Sequence, residues 1–281
     1  MTRPAGAVSN PTMIKNALSR CLPVAGIALT ALSISIGHAQ PVSTPSAQDP
    51  IPKYTIFRAS TPLTIDGQLD ELEWFAAPAV GDFVFPWWKD GRKEQTSAKL
   101  LWDDEYLYLA FVCEDAHITA RHTERDGKIP ADDCVELMIT PDADRPHKYF
   151  NIEFNVIGGI IDNFRPDGPA KPRAPKWDAE GVRIAGSFVG TLNDDSDVDR
   201  HWLVEVAIPW SNFEGHAQAV PPHPSTVIRF NLNRSGGQTN RQYSQWASGN
   251  TPRPAFHTPD RFGRGVLERR AVPFAGTRLP Y

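Results

Sequence analysis

Between Lys53 and Glu268 the chain is cut into short runs of β-branched and aromatic residues by clusters of Gly, Pro, Asn and Asp. Runs of this length are strand-sized and the punctuation between them is turn chemistry, so the pattern points to an antiparallel sandwich or barrel. Strands are expected over 54–58, 62–65, 96–102, 106–114, 133–140, 149–157, 160–164, 182–189, 201–208, 226–234, 242–247 and 263–268. One helical signal stands apart. After the Asp66-Gly67 turn, Asp70 can cap a short helix, with Glu73 reaching back and Leu69 and Trp74 at the staple positions on either side. The Pro-rich segments 165–177 and 248–260 and the acidic segment 190–200 read as loops. No internal repeat and no second domain is visible.

The first forty residues follow a different logic. Lys15 and Arg20 precede an apolar stretch from Leu22 to Ile36, and Gly37-His38-Ala39 presents small residues where a signal peptidase reads, so cleavage is expected after Ala39. The stretch falls short of the about twenty residues that a helix needs to cross a hydrocarbon core. An uncleaved anchor is the competing reading, and a start at Met13 gives ordinary signal proportions. Residues 1–39 are therefore assigned to a signal peptide, 40–52 to a Pro/Ser-rich flexible leader, 53–270 to the folded domain and 271–281 to a C-terminal tail. The mature protein is expected to be secreted or periplasmic, with no further membrane span. A hydrophobic share of 41% and a charged share of 22% suit a globular core. The net charge of −4 and the lack of a Lys/Arg cluster argue against nucleic acid as a partner. Cys113 and Cys134 do not make a disulfide framework even in an oxidising compartment, and both are read as buried strand residues.

Alternation assigns faces to the strands. In 133–139, Val135, Leu137 and Ile139 share one side while Cys134, Glu136 and Met138 share the other. In 149–157, Phe150, Ile152, Phe154 and Val156 oppose Asn151, Glu153 and Asn155, and in 226–234, Phe230 and Leu232 oppose Arg229, Asn231 and Asn233. The apolar sets belong in the core, which leaves one polar face across three strands. Such a face is often simply wet. Asn, Glu and Arg, however, are planar groups that make paired hydrogen bonds to neighbouring hydroxyls, and the vicinal hydroxyls of a sugar are a natural match. Trp87-Trp88, in a Pro- and Gly-flanked segment, and Trp177, at the end of a Pro-rich loop, are either platforms for the C–H face of a sugar or anchors on the core. Trp74, Trp102, Trp202 and Trp210 sit in regular patterns and are read as core.

The segment Ile65-Asp66-Gly67-Gln68-Leu69-Asp70-Glu71-Leu72-Glu73-Trp74 resembles the opening motif of family 9 carbohydrate-binding modules. Later stretches agree in order: Lys99-Leu100-Leu101-Trp102-Asp103 with Tyr106-Leu107-Tyr108, Asp132-Asp133-Cys134-Val135-Glu136, Glu205-Val206-Ala207-Ile208-Pro209-Trp210, Phe230-Asn231-Leu232-Asn233-Arg234, Trp246, and Phe256-His257-Thr258-Pro259-Asp260-Arg261-Phe262-Gly263. The resemblance covers about residues 55–268. It implies an all-β, antiparallel β-sandwich of jelly-roll or immunoglobulin-like type with one short N-terminal helix. It also implies binding to mono- or oligosaccharide ends, often beside a glycoside hydrolase that degrades plant polysaccharides. In well-understood members two tryptophans clamp a sugar ring, with a carboxylate, an arginine and an asparagine adding hydrogen bonds. Carried over residue by residue, the carboxylate falls on Glu136 and the second aromatic on Phe256. The first aromatic falls near Ile129-Pro130 and the arginine on or near Glu153, so the chain resembles a diverged branch. The expected ligand set is Glu136, Asn151, Glu153, Asn231 and Asn233 for hydroxyls, with Phe256 and either Trp177 or Trp87 and Trp88 for stacking.

The resemblance also raises structural calcium, for which Asp103-Asp104-Glu105 and Asp194-Asp195-Ser196-Asp197 offer loop oxygens without a defined ligand spacing. No other cofactor is expected. Catalysis is not expected either. A glycosidase needs two carboxyl groups roughly 5–9.5 Å apart. Asp132, Glu136 and Glu153 can be placed on the polar face, yet a module-sized sandwich seldom builds the water-controlled cleft that hydrolysis requires. GxSxG, HExxH, Cys/His metal spacings and phosphate-cradling glycine loops are absent. The sequence therefore reads as a secreted, non-catalytic carbohydrate-binding protein of carbohydrate catabolism. Two readings from other classes stay open: a cytochrome-like haem domain using Met138 with His117, His147 or His257, and an interaction domain of a polysaccharide-processing system.

Overall fold

The computed structural model describes residues 49–175 and 177–273. The expected signal peptide, its cleavage site, most of the leader and the tail from 274 onward lie outside the described residues. The strands are β1 (Lys53–Arg58), β2 (Thr96–Trp102), β3 (Tyr106–Glu114), β4 (Cys134–Thr140), β5 (Tyr149–Asn155), β6 (Ile160–Arg165), β7 (Arg183–Val189), β8 (His201–Pro209), β9 (Val227–Ser235), β10 (Tyr243–Gln245) and β11 (Gly263–Ala271). One α-helix, α1 (Leu72–Ala76), and 3₁₀ turns at Ile129–Ala131, Trp210–Phe213 and Pro259–Arg261 complete the regular structure. The expected strands form with ends displaced by a few residues, except 62–65. There the backbone amide of Thr64 donates to Glu71 Oε1 at 3.1 Å, a local bond to a side chain in place of a strand partner.

The strands make one hydrogen-bonded sheet in the order β6-β5-β4-β9-β11-β1-β2-β3-β8-β7, with β10 added on β9. The wholly antiparallel expectation fails at β1, which runs parallel to both β11 and β2. Parallel neighbours need a long crossover, and the chain between β1 and β2 is long enough to supply one. The sheet curls so that its two halves face each other. Val135, Leu137, Ile139, Phe150, Ile152, Phe154, Phe230 and Leu232 from one half meet Leu100, Trp102, Leu109, Phe111, Trp202, Val204 and Val206 from the other in a single buried core. Gly186 shows how near the edge of one half comes to the other. A Cβ there would lie 2.0 Å from the Val156 carbonyl oxygen, so a side chain would force the edges apart.

The halves differ on their outer faces. β3 and β8 carry nearly continuous apolar runs, the pattern of strands buried on both sides, and β2 beside them is buried along most of its length. Their outer residues Leu101, Tyr108, Ala110, Leu203 and Ala207 are covered by Leu63, Leu69, Trp74 and Ala76 from the chain that follows β1. Burial of Leu63 and Leu69 stabilises this cover by about 1.5–3 kcal/mol each. α1 lies within it, but the expected Asp70 cap does not form. The N-cap is Glu71, and it makes no side-chain capping bond. The helix is held instead by buried Trp74, whose Nε1 donates to Glu205 Oε1 at 2.8 Å. Trp102, Trp202 and Trp210 are buried as expected, and Cys113 and Cys134 are buried free thiols.

Candidate functional site

On the outer face of the other half, strand register lines up the polar residues. Glu136 of β4 lies between Glu153 of β5 and Asn233 of β9, with Gln245 of β10 next in the row. In the adjacent row Met138 lies between Asn151 and Asn231, with Asn163 of β6 beyond. The amides aim at the carboxyl groups. Asn151 Nδ2 donates to Glu136 Oε1 and, at 3.3 Å, to Glu153 Oε1, while Asn233 Nδ2 donates to Glu136 Oε2 at 2.7 Å. Behind them, Asn163 Nδ2 donates to Asn151 Oδ1 at 3.3 Å and Arg173 Nη1 donates to Asn163 Oδ1. Burial pushes the Glu136 carboxyl well above the usual carboxylate range, the charge of Glu153 pushes the same way, and the Asn233 bond opposes both. Glu153 is also raised by burial, against its bonds from Asn151 and Cys134.

A cleft of about 300 Å³ opens above this carboxyl pair, with Pro130, Tyr243, Pro254, Phe256 and His257 among its walls. That volume is at the small end of small-molecule sites. The rings of Tyr243 and Phe256 meet edge to face at 6.1 Å, and Trp87 stands 5.8 Å from Phe256. His257 is held down to about 4 by burial and by the charge of Arg165, so it is neutral at pH 7. Its Nδ1 shares a 2.8 Å hydrogen bond with Tyr149 Oη.

Of the expected ligand set, Glu136, Glu153 and Phe256 line the cleft. Asn151 and Asn233 stand behind it, buried and donating to the carboxyl groups. Asn231 is wholly buried and occupied by backbone. Its Nδ2 donates to Ala247 O at 3.0 Å, and its Oδ1 accepts from Ala247 N and Leu232 N. Trp87 and Trp88 line a neighbouring cleft, Trp87 tied by Nε1 to Thr251 O at 2.8 Å and Trp88 exposed, with the Lys93 ammonium 4.7 Å from its ring. Trp177 is not brought to Phe256. It packs 4.6 Å from Phe150, a core-facing ring, and borders a separate hollow near β6. Asp132 is likewise consumed by the chain, accepting from the amides of Arg121 and His122 and from Asn155 Nδ2. Sequence reasoning missed Tyr243 and His257 as wall residues. Tyr243 was within reach, because it alternates with Gln245 in the strand expected over 242–247.

The acidic loops raised for calcium are bonded within the chain. Asp103 accepts from the amides of Glu105 and Tyr106 and from Tyr108 Oη, and Asp104 pairs with Arg58. Asp195 accepts from Thr239 Oγ1 and Asp197 from Thr191 Oγ1. Among the described residues no group of three or more His, Cys, Asp or Glu side chains is arranged to hold a metal ion. Met138 is enclosed with Tyr149 and Phe262, which makes it packing.

A family model for carbohydrate-binding family 9 matches residues 84–267. No curated protein matches the chain. Among solved structures the chain is similar to a candidate carbohydrate-binding protein from Bacteroides uniformis ATCC 8492, with TM-score 0.66 and 19% identity over 78% of this chain and 100% of that one. It is also similar to a family 9 carbohydrate-binding module from Caldicellulosiruptor kristjanssonii. In complex with cellotriose that module gives TM-score 0.55 and 15% identity over 82% of this chain and 100% of that one. In complex with glucose it gives 0.53 and 16% over 77% and 97%. At these identities the likeness is one of fold. The family match spans the strands that carry the carboxyl pair and the loops that wall the cleft, and by that match the chain belongs to carbohydrate-binding family 9.

Proposed function

We propose that the cleft over Glu136 and Glu153 binds one ring of a mono- or oligosaccharide, and that the domain acts by binding and not by catalysis. The observation that carries this reading is the pair of neighbouring carboxyl groups, oriented by Asn151 and Asn233 at the base of an aromatic-walled cleft. Carboxylates accept strongly from hydroxyl donors, and adjacent hydroxyls of a sugar present donors at the spacing of two adjacent acceptors. Tyr243 and Phe256 supply apolar surface for the C–H face of the ring. A few hydrogen bonds and one or two ring contacts give dissociation constants in the micromolar to millimolar range, about −4 to −8 kcal/mol. The signal-like segment 1–39 supports export, and the family 9 match supports a role in carbohydrate catabolism beside a glycoside hydrolase.

Titration calorimetry with glucose and cellotriose, in the presence and absence of calcium, is the direct test. Saturable heat that disappears in Glu136→Ala is the expected result. Folded protein that stays silent with glucose and with cello-, xylo-, manno- and galacturono-oligosaccharides overturns the reading.

A further inference from the structure

Tyr243 has a cleft on each side of it. A second cleft, about 580 Å³, shares Tyr243 and Pro254 with the first, so the two adjoin at that wall. Charge changes sign along it. The first cleft has Glu136 and Glu153, whereas the second has Lys89, Arg241 and Arg253 against a single carboxylate, Asp90. On a chain of net charge −4 this is a local reversal. The three cations are exposed. Among the described residues none of them has a carboxylate at ion-pair distance. Arg241 Nε donates to Tyr243 Oη at 2.9 Å, which fixes the guanidinium at the junction of the two clefts.

The loops that carry these groups are tied together. Asn240 Nδ2 and Gln242 Nε2 donate to Arg92 O at 3.0 and 3.1 Å, and Val84 and Gln245 exchange two backbone bonds of 2.8 and 3.0 Å. Gly91, at φ +88°, comes so near Asn240 that a Cβ would lie 2.9 Å from its Oδ1. A groove built in advance spends less binding free energy on ordering itself.

We propose that the second cleft takes an anionic sugar, so that the preferred ligand is an oligosaccharide with a uronic acid next to the ring held over Glu136 and Glu153. This inference rests on the sugar-binding reading of the first cleft. Guanidinium groups match carboxylates in a planar, two-bonded geometry, and the exposed ring of Trp88 offers a surface for the C–H face beside them. The polarity also sets direction. The carboxyl pair repels a uronate from the first cleft, which leaves the neutral ring inside and the acidic ring over the basic rim.

Calorimetry at low salt, comparing cellobiose with the disaccharide of the same linkage whose non-reducing ring is glucuronic acid, tests this. The uronate is expected to bind about fivefold more tightly, with the difference fading at about 0.5 M NaCl. The Lys89→Gln/Arg253→Gln double variant should lose the preference and bind cellobiose as before, and Glu136→Gln should weaken both sugars. Equal affinity of the two sugars for the unaltered protein overturns the proposal and leaves the first cleft's reading standing. Uronate binding that survives Glu136→Gln and falls in the double variant supports the basic cleft and overturns the reading of the first. Silence with both sugars overturns both.

Discussion

Glu205, on the outer face of β2, β3 and β8, and Glu136, on the outer face of β4, β5 and β9, occupy comparable places, each in the middle of a strand and each buried. Glu205 is satisfied by the chain itself. Trp74 Nε1 donates at 2.8 Å and the amides of Asp66 and Gly67 at 3.2 and 3.3 Å, under a lid of Leu63, Leu69 and Trp74. Burial raises its carboxyl to about 7. Glu136 receives two side-chain amides, but its next neighbour is a second carboxyl and its outlook is an open cleft. A buried acid whose donors all come from the chain is part of the architecture. One set beside a like charge at the floor of a cleft leaves room for a ligand's donors to complete the set.

Trp74→Ala should produce the largest effect and confine it to the covered face. It removes a buried ring together with one of Glu205's donors, so denaturant unfolding should show a loss of about 3–5 kcal/mol, while the remaining folded protein binds sugar with unchanged affinity. A matching fall in affinity would break the comparison. Glu136→Gln should do the reverse. Losing a charge-assisted contact costs about 1.5–3 kcal/mol of binding, read by calorimetry, while the melting temperature holds or rises because a like-charge neighbour is relieved. Unfolding of this variant would place Glu136 in the same class as Glu205.

A second pair of variants sharpens the division within the aromatics. Phe256→Ala should weaken binding by about 0.5–1.5 kcal/mol, whereas Trp177→Ala should lower stability through its contact with Phe150 and leave the titration unchanged. The smallest effect is the pH profile. Glu205 is raised from an ordinary 4.5 to about 7, so the stability it contributes is fully present below 4.5 and is lost as pH rises through that window. Melting curves between pH 4 and 8 should show this slope, and Glu205→Gln should flatten it. Sugar affinity should move the opposite way, strengthening with pH as the raised Glu136 ionises and becomes the better acceptor, with Glu153→Gln shifting that rise to lower pH.

Alternation carried much of this in advance. Val135, Leu137, Ile139, Phe150, Ile152, Phe154, Phe230 and Leu232 all enter the core as their positions require, and the opposite faces of the same strands bring Glu136, Glu153, Asn151 and Asn233 together. What alternation cannot say is what lies over a face. Asn231 follows the same rule as Asn233, yet the backbone of Ala247 occupies its amide. Trp177 sits in a loop, where no period exists to assign a side, and it turns to the core. The helix cap at Asp70 failed because Trp74 and the buried Glu205 anchor α1 from a distant strand, a long-range contact that no local motif encodes. The parallel setting of β1 was hidden for the same reason, since a strand's own residues do not specify the direction of its neighbours.

That parallel setting has a consequence for how the molecule bears load. Lys53 lies opposite Arg264 near the start of β11, and Arg58 lies opposite Ala271 at its end. The chain therefore enters this strand pair at one end and leaves it at the other, about 20 Å away at some 3.3 Å per residue. Tension through the two flanking segments would draw β1 and β11 lengthwise past each other, so their ladder bonds would share the force at once instead of opening one by one. The pair that joins the two halves of the sheet is therefore also its mechanical clamp.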